Sequence, residues 1–302
     1  MSRRNAEILL AAVIIARSTA CLLSKITMED MGPFTLMAWR FLIAFAVLAV
    51  LFHRHIRTAV LAAPRRTLAS GLYLGGLFFL VMSAELFGLR STDSSTTSFL
   101  ENTAIVMVPL FQAALCRRLP GFRSLAGAAL TLTGIGFLTL QGARVSLGQG
   151  EVLCLLAAAL YALAIILTDR LSRSCDPLVL GILQVGVMGS LSLFAALLFE
   201  TPAAPSNGSV WAAILYLSLI CSCFGFTLQP VAQRHTSAQR ASLFCALNPL
   251  TAAVLGVLLL HEQMGPSAIL GAAFVLSGIL LASLAEKKAS QKPGGIPGNC
   301  ET

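Results

Sequence analysis

The chain has 302 residues, 57% of them hydrophobic and 11% charged, with a formal net charge of +8. An ordinary soluble domain keeps about 25% of its residues charged to cover its surface, so this composition excludes a soluble enzyme and points to a chain solvated by lipid. No basic run sits inside a soluble segment, so the positive excess is read as membrane orientation and not as a nucleic-acid surface.

A run of about 20 apolar residues spans about 30 Å of hydrocarbon. Ten such runs are predicted, at 6–27, 33–52, 67–88, 94–116, 121–140, 150–169, 177–199, 211–231, 236–260 and 266–285. They lack strict alternation, which predicts helices in place of barrel strands. The first follows Arg3 and Arg4 and is interrupted by Arg17. Its likeness to a signal peptide, with Ser18-Thr19-Ala20-Cys21 as a lipoprotein cleavage site, is set aside because the segment recurs in the repeat described next. The second run holds Arg40 and leads into a loop with His53, Arg54, His55 and Arg57, read as solvated charge. The third holds Glu85, with Tyr73, Phe78 and Phe79 read as packing residues in preference to a pocket lining; the fourth holds Glu101. Pro109 and Pro249 interrupt the fourth and ninth runs, as kinks for packing or as hinges. Glycines between Gly127 and Gly136 and between Gly271 and Gly278 predict a close helix crossing within one protomer. Residues 287–302, rich in Lys, Pro and Gly, are expected to form a disordered tail.

With the N-terminus inside, the opposite side of the membrane keeps only Lys25, Arg90 and Arg144 among the basic residues outside the spans. The positive-inside rule then places both termini on the cytoplasmic side of a bacterial-type inner membrane, which ten spans allow.

Shifting the chain by 144 residues aligns its halves without a gap. Glu7 meets Glu151, Pro33 meets Pro177, Arg90 meets Arg234, Thr92 meets Thr236, Gly127 meets Gly271 and Gly134 meets Gly278. Shared Pro, Gly and Arg at one offset mark an internal repeat. Residues 1–140 and 141–286 are thus two five-span halves. Five is odd, so the second half enters the membrane upside down. The loops agree: that between the second and third spans carries four Arg, and its image at about 200–210 carries none. Inverted repeats typify secondary transporters, whose site lies between the halves and opens alternately to each side.

Four ionisable residues lie well inside spans, away from their ends: Arg17, Arg40, Glu85 and Glu101. Each would cost at least about 2.5–3.5 kcal/mol facing lipid, so each is expected to face another or a wet cavity. At about 1.5 Å per residue, Arg40, Glu101 and Glu85 fall at similar depths and Arg17 deeper. Their images Gln184, Cys245, Gln229 and Tyr161 are uncharged, which confines charge to one wall of a central cavity. Arg17 and Arg40 suit a carboxylate or phosphate, and Glu85 and Glu101 an amine or a coupling proton. Tyr161, Gln184 and Gln229 are the neutral contacts. The alternative is permanent ion pairing, Arg40 with Glu101 and Arg17 with Glu85, that fixes helix packing. Glu7 and Glu151 open their spans and are read as helix N-terminal charges.

Gly88-Leu89-Arg90-Ser91-Thr92 leading into Ser98-Phe99-Leu100 and Val108-Pro109-Leu110-Phe111 resembles the first repeat of EamA-domain transporters of the drug/metabolite transporter superfamily. Thr236-Ser237-Ala238, Leu247-Asn248-Pro249-Leu250 and Leu258-Leu259-Leu260-His261-Glu262 resemble its second. Trp39-Arg40-Phe41 is similar to the family's Arg-Phe in span two, whereas Arg17-Ser18-Thr19 stands where members carry Trp-Gly. The resemblance covers 6–285 and implies an all-α membrane protein of ten helices in two inverted repeats. It implies export of a small metabolite, with amino acids, sugars, sugar phosphates and drug-like amphiphiles all open.

The eight cysteines show no CxxC spacing, the four histidines lie in loops or at span ends, and no phosphate-binding loop occurs in a credible context. No cofactor, no metal and no enzymatic activity are expected, and coupling falls to a proton or other gradient or to exchange. A membrane-embedded enzyme and a non-transporting receptor are the readings from other functional classes. The two acidic and two basic intramembrane groups favour an amino acid or another carboxylate-bearing solute.

Overall fold

A computed structural model describes residues 3–117, 121–139, 148–202, 204–205, 207–251 and 266–290. Among them the regular structure is helical. The first apolar run folds as α1 (Arg3–Arg17) and α2 (Ala20–Thr27), parted by a turn at Ser18 and Thr19. Ser18 Oγ donates to the Ile15 carbonyl at 2.7 Å, the side-chain competition by which a serine opens a helix. α3 spans Pro33–Ala62 and α4 Pro64–Ser91.

α3 corrects an expectation, because it runs ten residues past the predicted end of its span, with a kink at Phe52 (φ −113°, ψ 17°). The segment with His53, Arg54 and His55 is therefore an exposed helical extension and not a loop, and His55 Nε2 stands 3.2 Å from Asp176 Oδ2. No Gly or Pro breaks 53–62. Pro64 ends the helix by excluding Ala63 from helical geometry (φ −150°, ψ 69°) and then opens α4.

The fourth run is α5 (Ser94–Asn102) and α6 (Ala104–Cys116), followed by α7 (Phe122–Thr139). The second half supplies α8 (Gln149–Ser174), α9 (Pro177–Phe199) and one rod made of α10 (Gly208–Tyr216), a π-helical segment (Leu217–Phe226) and α11 (Thr227–Gln233). α12 (Ala238–Phe244) and α13 (Pro266–Ser290) complete the described elements. Residues 287–290 are helical, a correction to the tail's predicted start; residues 291–302, residues 252–260 of the ninth run and His261 lie outside the described residues. Among the described residues seven helical segments are long and apolar enough to cross a membrane, and 124–137 and 269–281 are shorter apolar helices.

The prolines act upstream of themselves. The ninth run turns at Cys245 and Ala246, four and three residues before Pro249. Proline has no N–H for the carbonyl four back, and Asn248 N serves the Cys245 carbonyl instead at 3.0 Å. The fourth run breaks at Thr103, six residues before Pro109, where Thr103 Oγ1 donates to the Leu100 carbonyl and Asn102 Nδ2 to that of Ser98. Pro230 likewise leaves the Phe226 carbonyl without its N–H, and the π-helical segment ends at that residue.

Two image pairs pack across the halves, α3 with α9 and α7 with α13, and the packing of α4 on α8 is the image of that of α1 on the π segment and α11. α6 packs on α12. A Cβ on Gly134 would stand 2.7 Å from the Gly271 carbonyl, and one on Gly278 2.7 Å from the Gly127 carbonyl. Shifted by 144, each of these contacts becomes the other. As one number rises the other falls, so α7 and α13 cross antiparallel and within one chain. Gly186 against Phe45 and Gly189 against Leu42 repeat the pattern between α3 and α9. Only glycine lets these backbones approach so closely. Between them lies a core built on Phe226, met edge-on by Phe41 and Phe78 at 5.5 Å each.

Candidate functional site

Three helix breaks and the π segment gather around the intramembrane charges. Arg17 is the last residue of α1, beside the turn that frees its chain. Its Nη1 donates to Gln229 Oε1 at 3.0 Å, and its guanidinium carbon lies 4.1 Å from the Phe226 ring centre. The arginine passes over Gly225, where a Cβ would stand 2.7 Å from Arg17 Cγ. Tyr161 and Cys245 also flank Arg17, and the Tyr161 hydroxyl and Cys245 Sγ are 3.6 Å apart. Tyr161 is held edge-on by Phe78 at 6.1 Å.

Glu101 is the second-last residue of α5, and its carboxyl group lies within hydrogen-bonding reach of that of Glu85 on α4. Both feel the charge of Arg17. Glu101 Oε1 is buried without a hydrogen-bond partner among the described residues. Arg17, Glu85, Glu101 and Tyr161 are all half-buried although they stand among helices of both halves, so the space they border is internal.

This geometry corrects two expectations. Charge is not confined to one wall, because Arg17 reaches across to Gln229, the image of Glu85. Nor does Arg40 meet the carboxylates: it is 4% exposed, its Nε donates to Ser222 Oγ at 2.7 Å, and it lies 5.9 Å from the Phe226 ring centre. Among the described residues no ion pair joins either arginine to either glutamate at contact distance. Arg40 and Arg17 instead share Phe226. Gln184 is buried on α9, and among the described residues its Oε1 is unpartnered and no hydrogen bond ties it to the cluster.

Sequence reasoning missed Ser222, Gly225 and Phe226, the residues the π segment presents to the two arginines. Pro230, four residues beyond Phe226, was the available signal for a helix irregularity there. Of the aromatic residues on α4, Phe78 underlies the site, Phe79 stacks on Phe34 at 6.0 Å, and Tyr73 is 71% exposed.

The ends of the bundle are tied by image contacts. Lys25 Nζ donates to the Thr92 carbonyl at 3.0 Å, and Arg173 Nη2 to that of Thr236 at 3.2 Å. Asp169, the image of Lys25, holds Arg173 at 2.9 Å. Glu7, expected only to open its span, also binds Arg240 at the start of α12. An apolar groove of about 380 Å³ lined by Trp39, Leu42, Ile43 and Leu193 lies apart from all four charges.

A profile of the EamA-like transporter family matches the chain twice, over residues 4–140 and 148–284. The chain is 25% identical over 281 residues to an uncharacterized transporter of Archaeoglobus fulgidus, covering 91% of this chain and 96% of that one. It is 27% identical over 287 residues to the S-adenosylmethionine/S-adenosylhomocysteine transporter of Chlamydia trachomatis serovar D, covering 87% and 84%. A solved crystal structure with 21% identity superposes with a TM-score of 0.77, covering 95% of this chain and 99% of that one, which shows a shared fold.

Proposed function

The chain belongs to the EamA-like transporter family of membrane transporters, and we propose that it is an alternating-access exporter of an amino acid or another carboxylate-bearing solute. Arg17 carries this reading, as a half-buried guanidinium inside the bundle that touches groups from both halves. Such a group is costly against lipid and well shaped for a carboxylate. The antiparallel packing of image helices supports two inverted five-helix halves, 1–140 and 141–286, and ten crossings with both termini on the cytoplasmic side of an inner membrane. A solute between the halves exchanges Gln229 for its own carboxylate at Arg17, with Tyr161 and Gln184 on the facing wall. Arg40, buried behind Phe226, acts through its charge and not by contact. Glu85 and Glu101 are the groups for a coupling proton or a solute amine. The Chlamydia trachomatis relative is named for two compounds that each bear an α-amino carboxylate, in keeping with this class.

The test is the melting temperature of the detergent-purified protein against amino acids, dicarboxylates, sugar phosphates and quaternary ammonium ions. A ligand at 100 times its Kd adds about 2.7 kcal/mol to the folded state. Amino acids or other carboxylates raise the midpoint of the wild type and not of a folded Arg17→Gln variant. Stabilisation by quaternary ammonium ions alone, or stabilisation by carboxylates that survives Arg17→Gln, refutes the assignment.

A further inference from the structure

We propose that the solute is a cationic amino acid, its carboxylate at Arg17 and a second positive group at Glu101. This deepens the assignment of the Arg17 cluster as a carboxylate site and rests on it. The asymmetry of satisfied and unsatisfied groups carries the inference. Arg17 already has Gln229 Oε1 as an acceptor and the face of Phe226 beneath it, and Arg40 has Ser222. Glu101, by contrast, holds a buried oxygen that no donor reaches among the described residues. A buried acceptor left unpaired is costly, and an ammonium brings three donors and the matching charge. Glu101 Oε1 is thus a buried acceptor without a donor among the described residues, near a guanidinium that still has N–H groups to offer a carboxylate.

Geometry adds direction. Arg17 gives one Nη1 bond to Gln229 and keeps other N–H groups for a carboxylate, and Glu101 Oε1 can take an ammonium beside the Glu85 carboxyl group. Arg40 is withdrawn behind Phe226 and acts on Glu85 through its charge, so Arg17 is the half-buried guanidinium that the two carboxyl groups face. A neutral zwitterion satisfies Arg17 with its carboxylate and needs its only ammonium close by; a side-chain cation reaches the second acidic group.

The experiment compares equilibrium binding of lysine, norleucine and cadaverine to the full-length protein in detergent. Norleucine is lysine with a hydrogen atom in place of the side-chain ammonium, and cadaverine is lysine without its carboxylate. Lysine is expected to bind about tenfold more tightly than norleucine in the wild type, a difference set by one charge pair. Glu101→Gln reduces the ratio to about one, and Glu101→Asp, which keeps the charge, retains the preference. Equal affinities for lysine and norleucine, both lost in Arg17→Gln, overturn this inference and leave the carboxylate site standing. Cadaverine binding as tightly as lysine, unaffected by Arg17→Gln, overturns the carboxylate site and this inference with it, and so does failure of all three compounds to bind.

Discussion

Glu7 and Arg240 make the contact whose strength is best bracketed by its surroundings. Arg240 has a side chain 9% exposed and Glu7 one 27% exposed, and together they join α1 to the start of α12. An exposed pair contributes about 0–1 kcal/mol, and breaking a fully buried one costs about 3–5 kcal/mol. A pair with one partner buried and the other half-buried falls between, at a coupling energy of about 1–2 kcal/mol. In a chain of this length that corresponds to a shift of about 2–4 °C in the melting midpoint. The assay is a double-mutant cycle in detergent: wild type, Glu7→Gln, Arg240→Gln and the double variant. The repeat provides the control, because the image positions are Glu151 and Thr96, a carboxylate facing no cation at the corresponding place. Glu151→Gln with Thr96→Val is expected to be additive within about 0.5 kcal/mol. A coupling below about 0.5 kcal/mol for Glu7 and Arg240, or an equal one for the image pair, refutes the reasoning.

Two further perturbations test the packing that holds the site. A Cβ on Gly181 would lie 2.6 Å from the Thr227 carbonyl and 2.8 Å from its Cα, backbone atoms that cannot step aside, so Gly181→Ala should destabilise by about 1–3 kcal/mol. Gly76→Ala, with nothing within 4 Å of the added carbon, should leave the midpoint unchanged or slightly raised; a reversed order in thermal melts contradicts the backbone contact. Ser222→Ala removes the acceptor of the buried Arg40 Nε and should cost about 1–3 kcal/mol, while Ser222→Thr keeps the hydroxyl and most of the stability. Equal midpoints for the two Ser222 variants would show that the hydrogen bond contributes nothing.

The features legible in the sequence are those encoded locally or by repetition. Gly127, Gly134, Gly271 and Gly278 announced a close crossing because glycine at one offset in both halves is hard to produce otherwise, and the structure joins them in image pairs. Apolar run length placed most helices within a few residues. What escaped was set by rotation about helix axes and by side-chain reach. Arg40 and Glu101 have similar predicted depths, yet the arginine turns toward a serine on another helix, and no property of either residue shows that turn. Arg17 meets the image of Glu85 because the two halves interlock, so a table of equivalent positions is also a guide to contacts. The π segment at Leu217–Phe226 has no strong composition signal beyond Pro230 downstream. The helical extension of α3 reads as a loop if arginine and histidine are taken as span-enders, although arginine favours helices and nothing before Pro64 opposes one.

The central claim is that Arg17 lies in the path of the solute. It is tested most directly by counterflow in proteoliposomes, loaded with unlabelled amino acids and supplied with the same mixture labelled outside. The wild type should accumulate label transiently, and Arg17→Gln, shown to fold by an unchanged melting transition, should not exceed empty vesicles. A variant that exchanges label at the wild-type rate, or a wild type that exchanges none, contradicts the account.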